Sequence, residues 1–351
     1  MVICLSCAAL AKMRCAAWRP ENLSNQSIDT KVMSEHPTKS KFDANVILCP
    51  DWKTITTHFD GFPERTWRRD GEGDEYLQGW IFRGHESEKY NLVPTIERAS
   101  PDGDWAEAEY KILREFQSKA HMHLAITRLP SLDDKLAWLS LLQHYGAPTR
   151  LLDFTYSPYV ALYFAIRRRE EGKSKFVEVW AMDEAVLHER ALVWCRAADK
   201  EVRKRNGIGV SGGKPSLDPA RAASPLQSAK TDEERWSRLL REALDPCSIR
   251  REYFVRNGFA TAANPPLQNP RLSSQQGVFV FNGAEYLSLE DSLARMMQDV
   301  GSEWYKRFRI PEAALVEVER RLFQLNIHDL SLFPDIEGLA GFVRQKVRLH
   351  W

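Results

Sequence analysis

Three short segments carry the residue types from which a binding or catalytic site could be built. The longest, residues 143–165 (QHYGAPTRLLDFTYSPYVALYFA), sets His144, Arg150, Asp153 and Thr155 around one apolar run. Polar groups at a strand end beside a helix N-terminus face free backbone amides and a partial positive charge, a usual place to hold an anion. A buried Arg150–Asp153 ion pair holding a turn is the structural alternative. Upstream, residues 80–84 (WIFRG) read as a short buried strand closed by Arg83 and Gly84. A guanidinium buried there needs an anionic partner, and its fork suits a carboxylate or a phosphate; an ion pair with Asp153 or a nearby glutamate competes with a ligand for that role. Downstream, Gln275 and Gln276 precede Gly277 and the apolar run Val278–Phe281.

The elements that must position these groups are legible from punctuation and periodicity. Gly146 and Pro148 mark a turn, Leu151, Leu152 and Phe154 a buried strand, and Ser157-Pro158 an N-cap and N1 proline opening a helix over 159–169. Apolar spacing predicts helices over 107–124 and 133–145, the second ending on His144, where a cationic imidazole is favoured. Four short apolar runs, 79–83, 151–155, 176–182 and 277–281, alternate with these patterns and predict an α/β (α+β) domain with a central mixed or split β-sheet surrounded by helices. A further strand over 305–310 and helices over 311–325 and 336–346 close the chain, and 67–74 reads as a charged loop. Residues 1–45 are expected to be a mobile extension, with Met33 a candidate start, and 46–351 one domain holding a mobile insertion at about 199–232. The G-x-G-x-x-G match at 207–212 follows no strand and is barred from a helix by Pro215, so it is rejected as a nucleotide motif.

Forty-nine Lys and Arg against 48 Asp and Glu give a net charge of +1, which excludes a global field steering the chain to nucleic acid or membrane. The longest apolar run, near the N-terminus, is too short to span a bilayer, and a cytoplasmic location is expected. The six cysteines are scattered, Cys4 and Cys7 lack a second ligand pair, and His121 and His123 fall on different helix faces, so no metal is expected.

With Phe82-Arg83-Gly84 first, the 143–165 stretch second and residues 271–279 (RLSSQQGVF) third, the chain resembles the FRG-domain family over about residues 78–345. The run Asp153-x-Thr155-x-x-Pro158-x-x-Ala161-x-x-Phe164 also resembles the second motif of toxin-type ADP-ribosyltransferases, with Thr155 on its last serine. Those enzymes begin with a strand arginine, which Arg83 matches. They end on a strand bearing Gln-x-Glu or Glu-x-Glu, where Gln275-x-Gly277 supplies only the first residue. Cleaving a nicotinamide glycosidic bond builds positive charge on the ribose that a carboxylate stabilises; here that carboxylate would be Asp153, with Glu285 second.

The resemblance implies an ADP-ribosyltransferase-like fold and NAD as substrate, for transfer or hydrolysis of its ADP-ribose unit. Catalytic roles then fall to Asp153, Thr155, Gln275 and Gln276, and ligand binding to Arg83, Gly84, His144 and Arg150. Arg83, Asp153, Thr155 and Gln276 or Gln275 are expected around one pocket, with His144 and Arg150 in its wall and Asp153 desolvated by its buried strand. The partners expected are a nucleotide-type small molecule and a protein or nucleic-acid target, with no membrane. Two readings stand beside the enzyme: a module binding nucleotide or nucleic acid through the basic runs 167–169 and 203–205, and a protein-interaction scaffold.

Overall fold

The computed structural model describes residues 41–69, 75–100, 105–170, 172–205, 251–265 and 269–349. Seven strands form one mixed sheet in the order β1-β9-β6-β4-β5-β8-β7: β1 (Val46–Leu48), β4 (Trp80–His85), β5 (Leu151–Thr155), β6 (Phe176–Asp183), β7 (Ala260–Ala263), β8 (Gly277–Asn282) and β9 (Tyr305–Pro311). Only β1–β9 is parallel; the other pairs are antiparallel. Twelve helices lie around it among the described residues: α1 (Trp52–Phe59), α2 (Thr95–Ala99), α3 (Trp105–Lys119), α4 (Lys135–His144), α5 (Pro158–Arg167), α6 (Glu184–Arg205), α7 (Arg251–Asn257), α8 (Pro270–Ser274), α9 (Leu289–Met296), α10 (Leu315–Gln324), α11 (Asp329–Leu332) and α12 (Ile336–Leu349). The α/β class and the mixed central sheet are as expected. The four strands expected from apolar runs are β4, β5, β6 and β8.

The sheet is split in its middle. β4 pairs with β6 from Trp80 to His85, and β5 with β8 from Leu151 to Thr155, but β4 and β5 meet at a single register position, Phe82 with Thr155. At Gly84, beside the split, a Cβ would lie 2.0 Å from the Ala161 carbonyl oxygen and 2.6 Å from the Ala165 nitrogen. Helix α5 therefore rides directly on the β4 backbone. It is opened by the Ser157 side chain accepting from the Val160 N–H at 3.3 Å, with Pro158 in its first turn. Its buried face joins Phe82, Val177, Val179 and Phe308 in one core, while Leu152, Phe154, Val278 and Val280 join α4, α6 and α9 in the other.

Three boundaries differ from expectation. Phe42 belongs to the core, edge-on to Trp304 at 5.4 Å and Tyr305 at 5.3 Å, so the chain is packed before residue 46. Of residues 67–74, expected as one charged loop, 67–69 belong to strand β2 (Thr66–Arg69), which pairs antiparallel with β3 (Glu75–Gln78), and 70–74 lie outside the described residues. Helix α6 runs through Arg205, so the insertion expected from 199 begins as helix; the rest of it, with 207–212, lies outside the described residues, as do 1–40. No helix among the described residues is long and apolar enough to cross a membrane.

Helix α2 ties the β5 entry to the far side of the domain. Glu97 accepts from the Asn282 side-chain amide at 3.2 Å and from the Leu289 N–H at 3.2 Å, and burial pushes its pKa up to about 7. A carboxyl raised in the folded state contributes stability that is complete below its unfolded pKa, about 4.3, and lost as pH rises through 7. Glu97→Gln keeps an acceptor without a titrating proton. It is expected to exceed the parent by roughly 2 kcal/mol in urea denaturation at pH 8 and to match it at about pH 4. A pH-independent difference would refute this linkage.

Candidate functional site

The split between β4 and β5 is filled by Arg83. Its Nη1 donates to the Asp153 carbonyl at 2.6 Å, taking the place of a strand partner, and its Nε donates to His85 Nε2 at 3.0 Å. A guanidinium can only donate, so His85 Nε2 must be the acceptor, and the other ring nitrogen, 3.1 Å from the Tyr90 carbonyl, carries the proton. Burial, and then Arg83 itself, hold the His85 pKa well below its usual value, which keeps the ring in this neutral form. Arg83 thus rests on two uncharged acceptors. No carboxylate oxygen among the described residues lies within ion-pair distance of it, and three of its five N–H groups are uncommitted. Burial draws its pKa down to about 10, a shift that Asp153 opposes and Arg98 reinforces.

Asp153 does not form the ion pair that sequence offered as the alternative for Arg83. Its Oδ1 accepts from Gln143 Nε2 at 2.8 Å. Gln143 Oε1 in turn takes the Thr149 hydroxyl, and Thr149 is itself held by Thr95 Oγ1, which donates to its carbonyl at 3.2 Å. The side chain is also exposed rather than desolvated. Its strand neighbours Leu152 and Phe154 are buried in one core, while Asp153 itself is paired with Phe279 of β8 and has no partner in β4.

The third motif arrives through α8 and the turn into β8. Thr155 is buried, its hydroxyl donating to the Gln275 carbonyl at 2.7 Å while accepting the Ser157 N–H at 3.1 Å. That leaves it a clamp between β5 and α8. The Gln275 amide donates to the Leu332 carbonyl at 3.0 Å, anchoring the C-terminal segment. Gln276 is the exposed member of the pair, held at φ 48° with its carbonyl accepting the Tyr156 N–H at 2.9 Å. Arg271 stacks on Phe333 at 4.6 Å, and Arg167 lies over the same ring at 3.9 Å while pairing with Asp329 at 2.6 Å. Burial lowers the Arg271 pKa, and Asp153 counters that shift.

Two expected wall residues are placed elsewhere or differently. Arg150 precedes β5 with the opposite alternation to Asp153, and it is buried against Glu109 with Nε–Oε2 at 2.5 Å and its own N–H on Oε1 at 2.8 Å. It is thus taken out of the ligand-binding set by a buried ion pair. His144 ends α4, exposed at residue level, and partial burial and then the charge of Arg271 lower its pKa, the opposite direction from the cation expected at a helix C-terminus. Gly84 supplies the close approach to α5 described above. Of the basic runs, Arg167 and Arg169 are committed to Asp329 and Glu312. Sequence reasoning passed over His85, although its i+2 spacing from Arg83 on a strand places both on one face. It also passed over Arg98, which carries no local signal.

Residues 78–174 match the family model of the FRG domain. The chain contains an FRG domain. No curated protein and no solved structure matches the chain. The FRG domain so bounded holds β4, α4, β5 and α5, and with them Arg83, His85, Gln143 and Asp153. The strand that pairs with β5 along its whole length, β8, comes from beyond it, so the matched segment carries both sides of the split but not the complete sheet. The resemblance expected over about residues 78–345 is matched by the family model over 78–174.

Proposed function

We propose that the FRG domain of this chain binds a phosphate-bearing ligand of nucleotide type in the split between β4 and β5, and that the ligand is NAD. The observation that carries this reading is Arg83: a guanidinium packed into the split on two uncharged acceptors, with three N–H groups unspent and Arg98 and Arg271 adding positive potential. Such a fork fits a pyrophosphate bidentately. The strands that carry the three motifs, β4, β5 and β8, lie side by side, which lets one ligand meet residues of all three.

In that reaction the bond between ribose C1′ and the nicotinamide nitrogen breaks, its electron pair leaving with neutral nicotinamide. The ribosyl cation is captured by water or an acceptor hydroxyl, which loses its proton to solvent. Asp153 is the carboxylate beside Arg83 and would stabilise the cation; the Thr155 hydroxyl and the Gln275 side-chain NH2 are committed to backbone, and the Gln276 side chain, without a partner among the described residues, would orient the ligand. Arg83→Lys keeps the charge and loses the fork, so NAD or ADP-ribose affinity by calorimetry is expected to fall roughly 10- to 100-fold with melting temperature unchanged. Asp153→Asn is expected to retain affinity and to lose about 100-fold in nicotinamide release. Binding without nicotinamide release in the parent would leave a nucleotide-binding module; absence of binding would overturn the proposal.

A further inference from the structure

The C-terminal helix carries a feature that the split sheet does not use. Its inner face is fixed by close contact: Gly338 and Gly341 admit the Phe333 carbonyl and Asp329, where a Cβ would meet them at 1.9 and 2.6 Å. Phe342 stacks on Phe323 at 5.5 Å between centroids, and Gln345 donates to Glu319 at 3.3 Å. The opposite face is left with Ile336 at 76%, Leu339 at 43%, Val343 at 53% and Val347 at 71% exposure. Their spacing of three, four and four residues makes one continuous apolar stripe along α12. Glu337 and Arg344, seven residues apart, lie on one flank of that stripe. Both are exposed, and neither forms an ion pair among the described residues.

We propose that this stripe is the interface of a two-fold homodimer, with α12 packed antiparallel against α12 of a second copy. The pattern is complementary to itself under reversal: Ile336 lies opposite Val347 of the partner subunit and Leu339 opposite Val343 of the partner subunit. An antiparallel two-fold pair brings the same flank of each helix together. Glu337 then meets Arg344 of the partner subunit, and the contact is made twice. Opposed helix dipoles add to the same arrangement. A single helix pair buries an area at the low end of stable interfaces, below about 1,200 Å² in total, so a dissociation constant in the micromolar range is expected.

Sedimentation equilibrium of the full chain tests this. The parent is expected to approach twice the chain mass as concentration rises. Val343→Asp should raise the dissociation constant about 100-fold or more, because a charge enters the apolar seam, with melting temperature unchanged. Glu337→Arg and Arg344→Glu should each weaken the dimer about five- to tenfold, and the double variant, which exchanges the two charges, should restore it. A monomer at every concentration, including one that instead binds anionic vesicles, overturns the proposal. So does a dimer indifferent to Val343→Asp, and a double variant that fails to restore association overturns the antiparallel register.

Discussion

Glu109→Ala is expected to remove roughly 3–5 kcal/mol of folding stability, measured by urea denaturation, because it strands a buried guanidinium. Arg150 is 6% exposed and Glu109 is 3% exposed, so neither charge has water to fall back on. One carboxylate accepts the Arg150 Nε at 2.5 Å and the Arg150 backbone N–H at 2.8 Å, and the Trp105 ring lies 4.9 Å from the guanidinium carbon. The pair fixes the residue that leads into β5, and so the register from which Asp153 enters the split. Arg150→Met combined with Glu109→Gln leaves no buried charge and keeps an acceptor for the N–H; it should therefore cost less than Glu109→Ala alone. A loss below about 1 kcal/mol in Glu109→Ala would mean that water reaches the guanidinium and that the pair is not what sets this corner.

That pair also marks where sequence stopped informing. The strand over 151–155 and the cap at Ser157 were legible because each is local: an apolar run and a hydroxyl before a proline. The partner of a charge is not local. Arg150 finds Glu109 across 41 residues and Arg307 finds Glu178 across 129, both through the tertiary fold. Asp153 was expected to be desolvated because its neighbours are apolar, and alternation along β5 does bury Leu152 and Phe154. Asp153 nonetheless stays exposed where β4 parts from β5, a property of two strands together. Likewise Thr155 and Gln275 have the residue types of a site, yet each satisfies a backbone group, which composition cannot reveal.

Gly84→Ala is expected to cost about 3 kcal/mol and to weaken ligand binding at Arg83 as well, so it joins the fold to the site. Adding a methyl group to a packed interior usually costs about 1–3 kcal/mol, and the upper end applies when the neighbour cannot rotate away. Here the atoms met are the Ala161 carbonyl oxygen at 2.0 Å and the Ala165 nitrogen at 2.6 Å, both backbone of α5. Relief requires the helix to lift from β4. Lifting it disturbs the Ser157 cap, which Thr155 holds through its hydroxyl, and moves the residue next to Arg83 relative to the Asp153 carbonyl. Truncating a side chain cannot help, so Gly84→Ala/Ala161→Gly should be no more stable than Gly84→Ala alone. Arg83→Lys, by contrast, should lose binding without losing stability. If Gly84→Ala folds as well as the parent, or if Ala161→Gly rescues it, then α5 does not ride on the β4 backbone.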